Sequence, residues 1–168
     1  MVQAMNEPAF HRLRLERGGE TLSSAPTVEQ VLTAMRIARS EDGLEGPPEL
    51  AIECIRTSGA TERVVHRLLL LLAFHTTQSP HWVIHYSLPE TRGSSLLLAS
   101  GTNVTQQFEP RTVCGVPSDY RKDCLIDDSA LLFRAISWFL THHGACPQLT
   151  WVPYEEAVND AGPTRQDL

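Results

Sequence analysis

Long apolar runs are missing from this 168-residue sequence. The longest, Leu68 to Phe74, is far shorter than the roughly 20 residues a membrane-spanning helix needs. The opening MVQAMNEPAF has no basic region followed by an apolar segment, so no secretory signal is read there, and a cytoplasmic location is expected. The four cysteines, at 54, 114, 124 and 146, form no CxxC pair. Without an export signal they are expected as reduced thiols. Lysine is nearly absent: Lys122 stands alone against 13 arginines, a skew that points to GC-rich coding DNA and says little about chemistry. Positive charge is not in excess either. A net charge of −6 argues against a phosphate-binding surface, so no nucleic-acid partner is expected. The phosphate-cradling GxGxxG and GxxxxGK[ST], the hydrolase elbow GxSxG and the zinc signatures HExxH and HxE…PCxxC do not occur. Repeats and low-complexity segments are lacking too.

What is present is ordinary for a globular domain: 42% hydrophobic and 20% charged residues. One domain over 1–158 and a polar tail over 159–168 are expected. Phe10–Glu16 alternates, with His11, Leu13 and Leu15 on one side, and reads as a strand. Thr27 with Gln30 makes a capping box for a helix over about 27–39, carrying Val31, Leu32 and Met35 on its apolar face. Glu49–Arg56 alternates Leu50, Ile52 and Cys54 against Ala51, Glu53 and Ile55. Residues 62–76 hold five successive leucines and fit either a helix or a strand. His81–Leu88 and Ser95–Ala99 read as strands, Val104–Phe108 as a returning strand, and Pro110–Lys122 as an irregular loop. Asp127 or Asp128 caps a helix over about 129–143, apolar enough to pack on more than one side. Gly144 is the expected left-handed residue after it, and Pro147 stops it from resuming. Leu149, Trp151 and Pro153 mark a last short strand. The fold class expected is α+β, an antiparallel meander against two main helices.

Charge is uneven along the chain. Residues 119–168 hold 8 acids against 4 bases, while residues 1–118 hold 12 against 10. Such an acidic end attracts a basic partner, although a solvated rim explains it equally well. The histidines give no metal spacing: His81 and His85 share a strand face, and the adjacent His142 and His143 diverge, with Cys146 nearby. Cys114, in VCGVPSDY, is a candidate nucleophile with His85, His142 or His143 as base, but no local signature joins them, and thiols usually serve packing. Helix capping accounts for Asp127-Asp128 more simply than a metal pair. Trp82, Tyr86, Trp138, Trp151 and Tyr154 are residue types that anchor interfaces and also fill cores.

The block from Ile126-Asp127 through Ala130, Ala135, Phe139, Gly144, Pro147 and Trp151, with Val31-Leu32 and Ala34 earlier, resembles a family of bacterial immunity proteins. These pair with deaminase-type toxins of polymorphic and contact-dependent secretion systems. Residues 57–80 are longer and richer in leucine than the family pattern, and Cys146 stands where a basic residue is usual. The resemblance implies an α+β domain that is not an enzyme and needs no cofactor or metal. It would bind a cognate toxin, a nucleic-acid deaminase, and occlude its cleft. An acidic rim would compete for the toxin's basic groove, and aromatic anchors would slow release. The residues expected at such a contact are Tyr154, Glu155, Glu156, Asp119, Tyr120, Asp123, Trp82 and Tyr86. The alternatives are a small cysteine- or metal-dependent enzyme, and an adaptor or chaperone that binds without inhibiting.

Overall fold

The leucine run decides the architecture. In the computed structural model, which describes residues 9–15, 19–40, 49–91, 95–100 and 107–160, it lies in a strand of 14 residues, Thr61–Phe74. Leu68, Leu70 and Leu72 enter one apolar core, while Leu69, Leu71 and Ala73 enter a second on the opposite side. A strand covered on both faces has no polar side to alternate with, so its sequence reads as a continuous apolar run.

The strands before it are β1 (Ala9–Leu15), β2 (Thr21–Ser23) and β3 (Leu50–Ser58), with helix α1 (Val28–Ser40) between β2 and β3; the leucine strand is β4. β5 (His81–Ser87) and β6 (Ser95–Ala99) complete a meander from β3 to β6 in which each strand pairs with the next. β7 (Phe108–Val113) and β8 (Val116–Arg121) form a hairpin. After a single 3-10 turn come α2 (Ser129–His142), β9 (Thr150–Pro153), the four-residue α3 (Tyr154–Ala157) and β10 (Val158–Asn159). Among the described residues all pairings are antiparallel, in one ten-stranded sheet that begins β2-β1-β3-β4. From β4 the sheet continues two ways. One edge of β4 carries β5, then β6 and β9. Its other edge carries β3 up to Leu70 and then β7 at Ala73 and Phe74, followed by β8 and β10.

The α+β class and both main helices agree with the sequence reading. Thr27 and Gln30 form the capping box: Thr27 N–H donates to Gln30 Oε1 (3.0 Å), and Gln30 N–H to Thr27 Oγ1 (3.2 Å). Asp128 is the cap of α2, its carboxylate accepting from the N–H groups of Ala130 (2.9 Å) and Leu131 (3.2 Å). α1 buries Val31, Met35 and Ala38, and α2 buries Leu132, Ala135, Ile136 and Phe139, all on the β1–β3–β4–β5 face. The second core lies on the opposite face. There Val83, Leu97 and Ala99 of the meander meet Val113, Tyr120, Val152, Ala157 and Val158.

Five expectations are corrected. Pro110–Lys122 is largely strand rather than loop. Its prolines misled because they cannot donate a ladder bond, yet Pro110 lies beyond the stretch of β7 that β4 pairs, and Pro117 beyond the stretch of β8 that β10 pairs. Cys114 (φ 54°) and Gly115 (φ 77°) make the two-residue turn between them, where positive φ suits a tight hairpin. The neighbour of β6 is β9, not a returning strand at Val104–Phe108; residues 104–106 lie outside the described ones, and Phe108 opens β7. The apolar stripe of α2 is narrower than expected, since Phe133 is 49% exposed, although the helix packs on both the sheet and α1. The left-handed residue after α2 is His143 (φ 63°), not Gly144. Asn159, expected in a frayed tail, pairs with Asp119, so the boundary drawn at 158 falls inside β10; residues 161–168 lie outside the described ones.

Candidate functional site

β8, α3 and β10 bring together two of the segments expected at a binding surface. Val158 and Asn159 pair with Tyr120 and Asp119, which sets Tyr154–Ala157 beside Asp119–Asp123. Tyr154 is half-buried and its ring lies 5.7 Å from that of His85. Its hydroxyl is held above the ordinary range by burial, then by the charge of Asp160 and by Cys114. Glu155 and Glu156 are exposed. Glu156 acts electrostatically on Arg121, although that arginine's main partner is Asp123 (Nε to Oδ1, 2.9 Å). Asp160, which sequence reading missed, accepts from Ser118 Oγ at 3.1 Å and completes the acidic edge. Its signal was present only in the polar stretch after α3, where nothing distinguished it from a tail.

Four of the expected residues do not fit a contact surface. Trp82 is 3% exposed, Tyr86 8% and Tyr120 6%: the first two fill the helix-side core and the third the opposite core. Asp123 is paired with Arg121, and its side chain is only 9% exposed. The surface thus reduces to Glu155, Glu156 and Asp160 in the open, with Tyr154 and Asp119 half-buried between them.

A second cluster joins residues that no sequence spacing connects. His11, Cys54 and His66 face one another across β1, β3 and β4, since His11 pairs with Cys54 and Cys54 with His66. Tyr86 continues the row on β5: its hydroxyl lies 2.9 Å from His66 Nδ1. His143, carried by the turn that ends α2, closes over the row. Its Nδ1 is 3.1 Å from His11 Nε2, and the two rings lie 4.7 Å apart. The ligand atoms of His11, Cys54 and His143 all lie within 4.8 Å of one another. His11 titrates near pH 4, chiefly because burial disfavours its charged form and then because His143 adds like charge. Burial also lowers His66 and raises the Cys54 thiol. His81, His85, His142 and Cys146 take no part in this cluster. His142 instead stacks on Trp138 at 3.7 Å, and Cys146 is buried. Cys114 sits in the β7–β8 turn, and both it and His85 approach Tyr154.

A third cluster occupies the other face of the same strands. Glu53 is fully buried and is reached by Arg12 (Nη2, 3.0 Å; Nε, 3.2 Å), Arg67 (3.0 Å) and Arg14 (3.6 Å). Arg12 extends the network to Glu62 at 3.3 Å. Register explains the arrangement, because Arg12, Glu53 and Arg67 are direct cross-strand partners.

Compared with protein-family models, curated proteins and solved structures, the chain matches none. Among the described residues no helix is long and apolar enough to cross a membrane.

Proposed function

We propose that this chain is an immunity protein: it binds a cognate bacterial toxin, a nucleic-acid deaminase domain, and inhibits it by covering the active cleft in the cytoplasm of the producing cell. The observation that carries this reading is the convergence of Tyr154–Glu156 with Asp119 and Asp160 into one acidic edge around a half-buried tyrosine. A deaminase that holds a nucleic-acid backbone needs a basic groove, and an acidic edge complements it. Glu155 and Glu156 steer the encounter, and Tyr154 supplies the apolar contact that slows release. The resemblance of the α2–Trp151 block to immunity proteins supports the same reading, with that block acting as the packing unit that holds the edge in place.

The test is calorimetry with the cognate deaminase toxin domain. The double variant Tyr154→Ala/Glu155→Ala is expected to bind at least about tenfold more weakly, in line with the loss of one interface anchor and one charge. Unchanged affinity removes the edge from the interface. Binding without loss of deaminase activity would instead identify an adaptor.

A further inference from the structure

The left-handed residue at the end of α2 is the starting point. Gly144 could take positive φ without steric cost, yet His143 takes it at φ 63°. Non-glycine residues in that region cost of order 1–3 kcal/mol and gather where a side chain must be aimed. Here the aim is visible: the turn brings His143 Nδ1 to 3.1 Å from His11 Nε2, over the Cys54 thiol. Two imidazole nitrogens and a thiol sulfur converge from three separate elements, β1, β3 and α2.

We propose that His11 Nε2, Cys54 Sγ and His143 Nδ1 form a three-ligand site for one zinc-class divalent ion, with the fourth position left to a water molecule. Imidazole and thiolate are the donor types that borderline-soft cations prefer over the oxygen-seeking magnesium and calcium. The dimensions suit the ion. Tetrahedral zinc holds nitrogen ligands about 3.3 Å apart and a nitrogen and sulfur about 3.6 Å apart. The two histidine nitrogens already stand at 3.1 Å, and the sulfur lies no farther than 4.8 Å from either, so closure takes about 1 Å of side-chain rotation. His143 is half-buried at a helix end, which leaves both the freedom to rotate and a path for the ion. Binding exchanges the Cys54 thiol proton, released to solvent, for a sulfur–metal bond, with no change in oxidation state. His66, held by the Tyr86 hydroxyl at 2.9 Å, flanks the cluster as a neighbour rather than a ligand. An ion there would tie the end of α2 to β1 and β3. This site is independent of the acidic edge and stands or falls without it.

The experiment uses the full chain, stripped with a chelator, titrated with Zn2+ by calorimetry and with Co2+ by absorption spectroscopy. One equivalent of each is expected to bind, cobalt giving a sulfur-to-metal charge-transfer band, and zinc raising the unfolding temperature. Cys54→Ser should abolish the band and weaken zinc at least about 100-fold, since even partners behind the ligands change affinity 10–100-fold. His142→Gln, next in sequence but turned onto Trp138, should leave both intact. If circular dichroism shows that Cys54→Ser does not fold, His143→Gln takes its place, with an equal loss of zinc affinity and of the thermal shift as the expected result. Absence of stoichiometric uptake, a cobalt spectrum without the sulfur band, or wild-type affinity in the variant would each overturn the proposal.

Discussion

The two faces of the β1–β3–β4 strands are built on opposite principles. Toward the helices, Leu13, Ile52, Leu68 and Leu70 meet Met35, Ile136 and Phe139, and polar groups gather at one end, where the His11–Cys54–His66 row is joined by the Tyr86 hydroxyl and the charge of Arg56. Away from the helices, the same strands point Arg12, Arg14 and Arg67 at a buried Glu53. Alternation alone makes this possible: a period of two sends neighbouring residues to different surroundings, so one strand can serve an apolar core and a charge network together. The difference teaches how each face fails. An apolar face loses stability in proportion to the volume removed, whereas a charge network loses it when one partner leaves the others uncompensated.

Variants on each face sharpen the contrast. Phe139→Ala, on the helix face, should cost about 3–5 kcal/mol in urea unfolding, from lost burial and the cavity left among His11, Tyr86 and Ile136. Glu53→Gln removes almost no volume, yet should cost about 3 kcal/mol because three guanidinium groups lose their shared counter-charge. The arginines keep about a quarter of their side-chain surface in water, which places this at the low end of the range for buried pairs. A midpoint unchanged by Glu53→Gln would mean that the network is solvated and the contrast between the faces is false. Asp128→Ala should cost about 1 kcal/mol, the usual loss for a helix cap.

A further expected effect is on pH dependence. His85 faces away from the helices against Tyr154, and burial holds it below its ordinary value of 6.5. The folded state therefore keeps it neutral while the unfolded chain takes up a proton. Its contribution is fully present above pH 6.5 and is lost as pH falls toward the lowered folded value, by at most about 1.4 kcal/mol per pH unit. His85→Gln should flatten this acid-side slope, measured as urea midpoints between pH 7.5 and 5, and leave stability above pH 7 little changed. An identical slope in the variant would show that His85 titrates as if exposed.

Much of this was legible in residue order. Thr27 with Gln30, and Asp128 before Ala130, announce helices because capping is local and needs only a few neighbouring residues. The strand faces of Glu49–Arg56 were also legible, since alternation is local too. The leucine run was ambiguous because a strand covered on both sides erases the alternation that identifies it. Pro110 and Pro117 concealed a hairpin, because whether a proline is tolerated depends on which strand lies beside it. The His11–Cys54–His143 cluster was illegible for the strongest reason. His11 and His143 are separated by 132 positions, and they meet only through the β1–β3 register and one left-handed turn. The acidic edge was half legible: composition pointed to Glu155 and Glu156, but burial, which composition does not carry, withdrew Trp82, Tyr86 and Tyr120.

The two-residue strand β10 has a consequence in time. Ala157 and Val158 close the second core, and Val158 pairs with Tyr120, so that core waits for the end of the described chain. β3, β4 and β5 are joined by short turns and can pair as soon as they are made, which is the order that low loop-closure cost favours. The acidic edge rests on the same closure, so it cannot form before Val158 and Asn159 have been made.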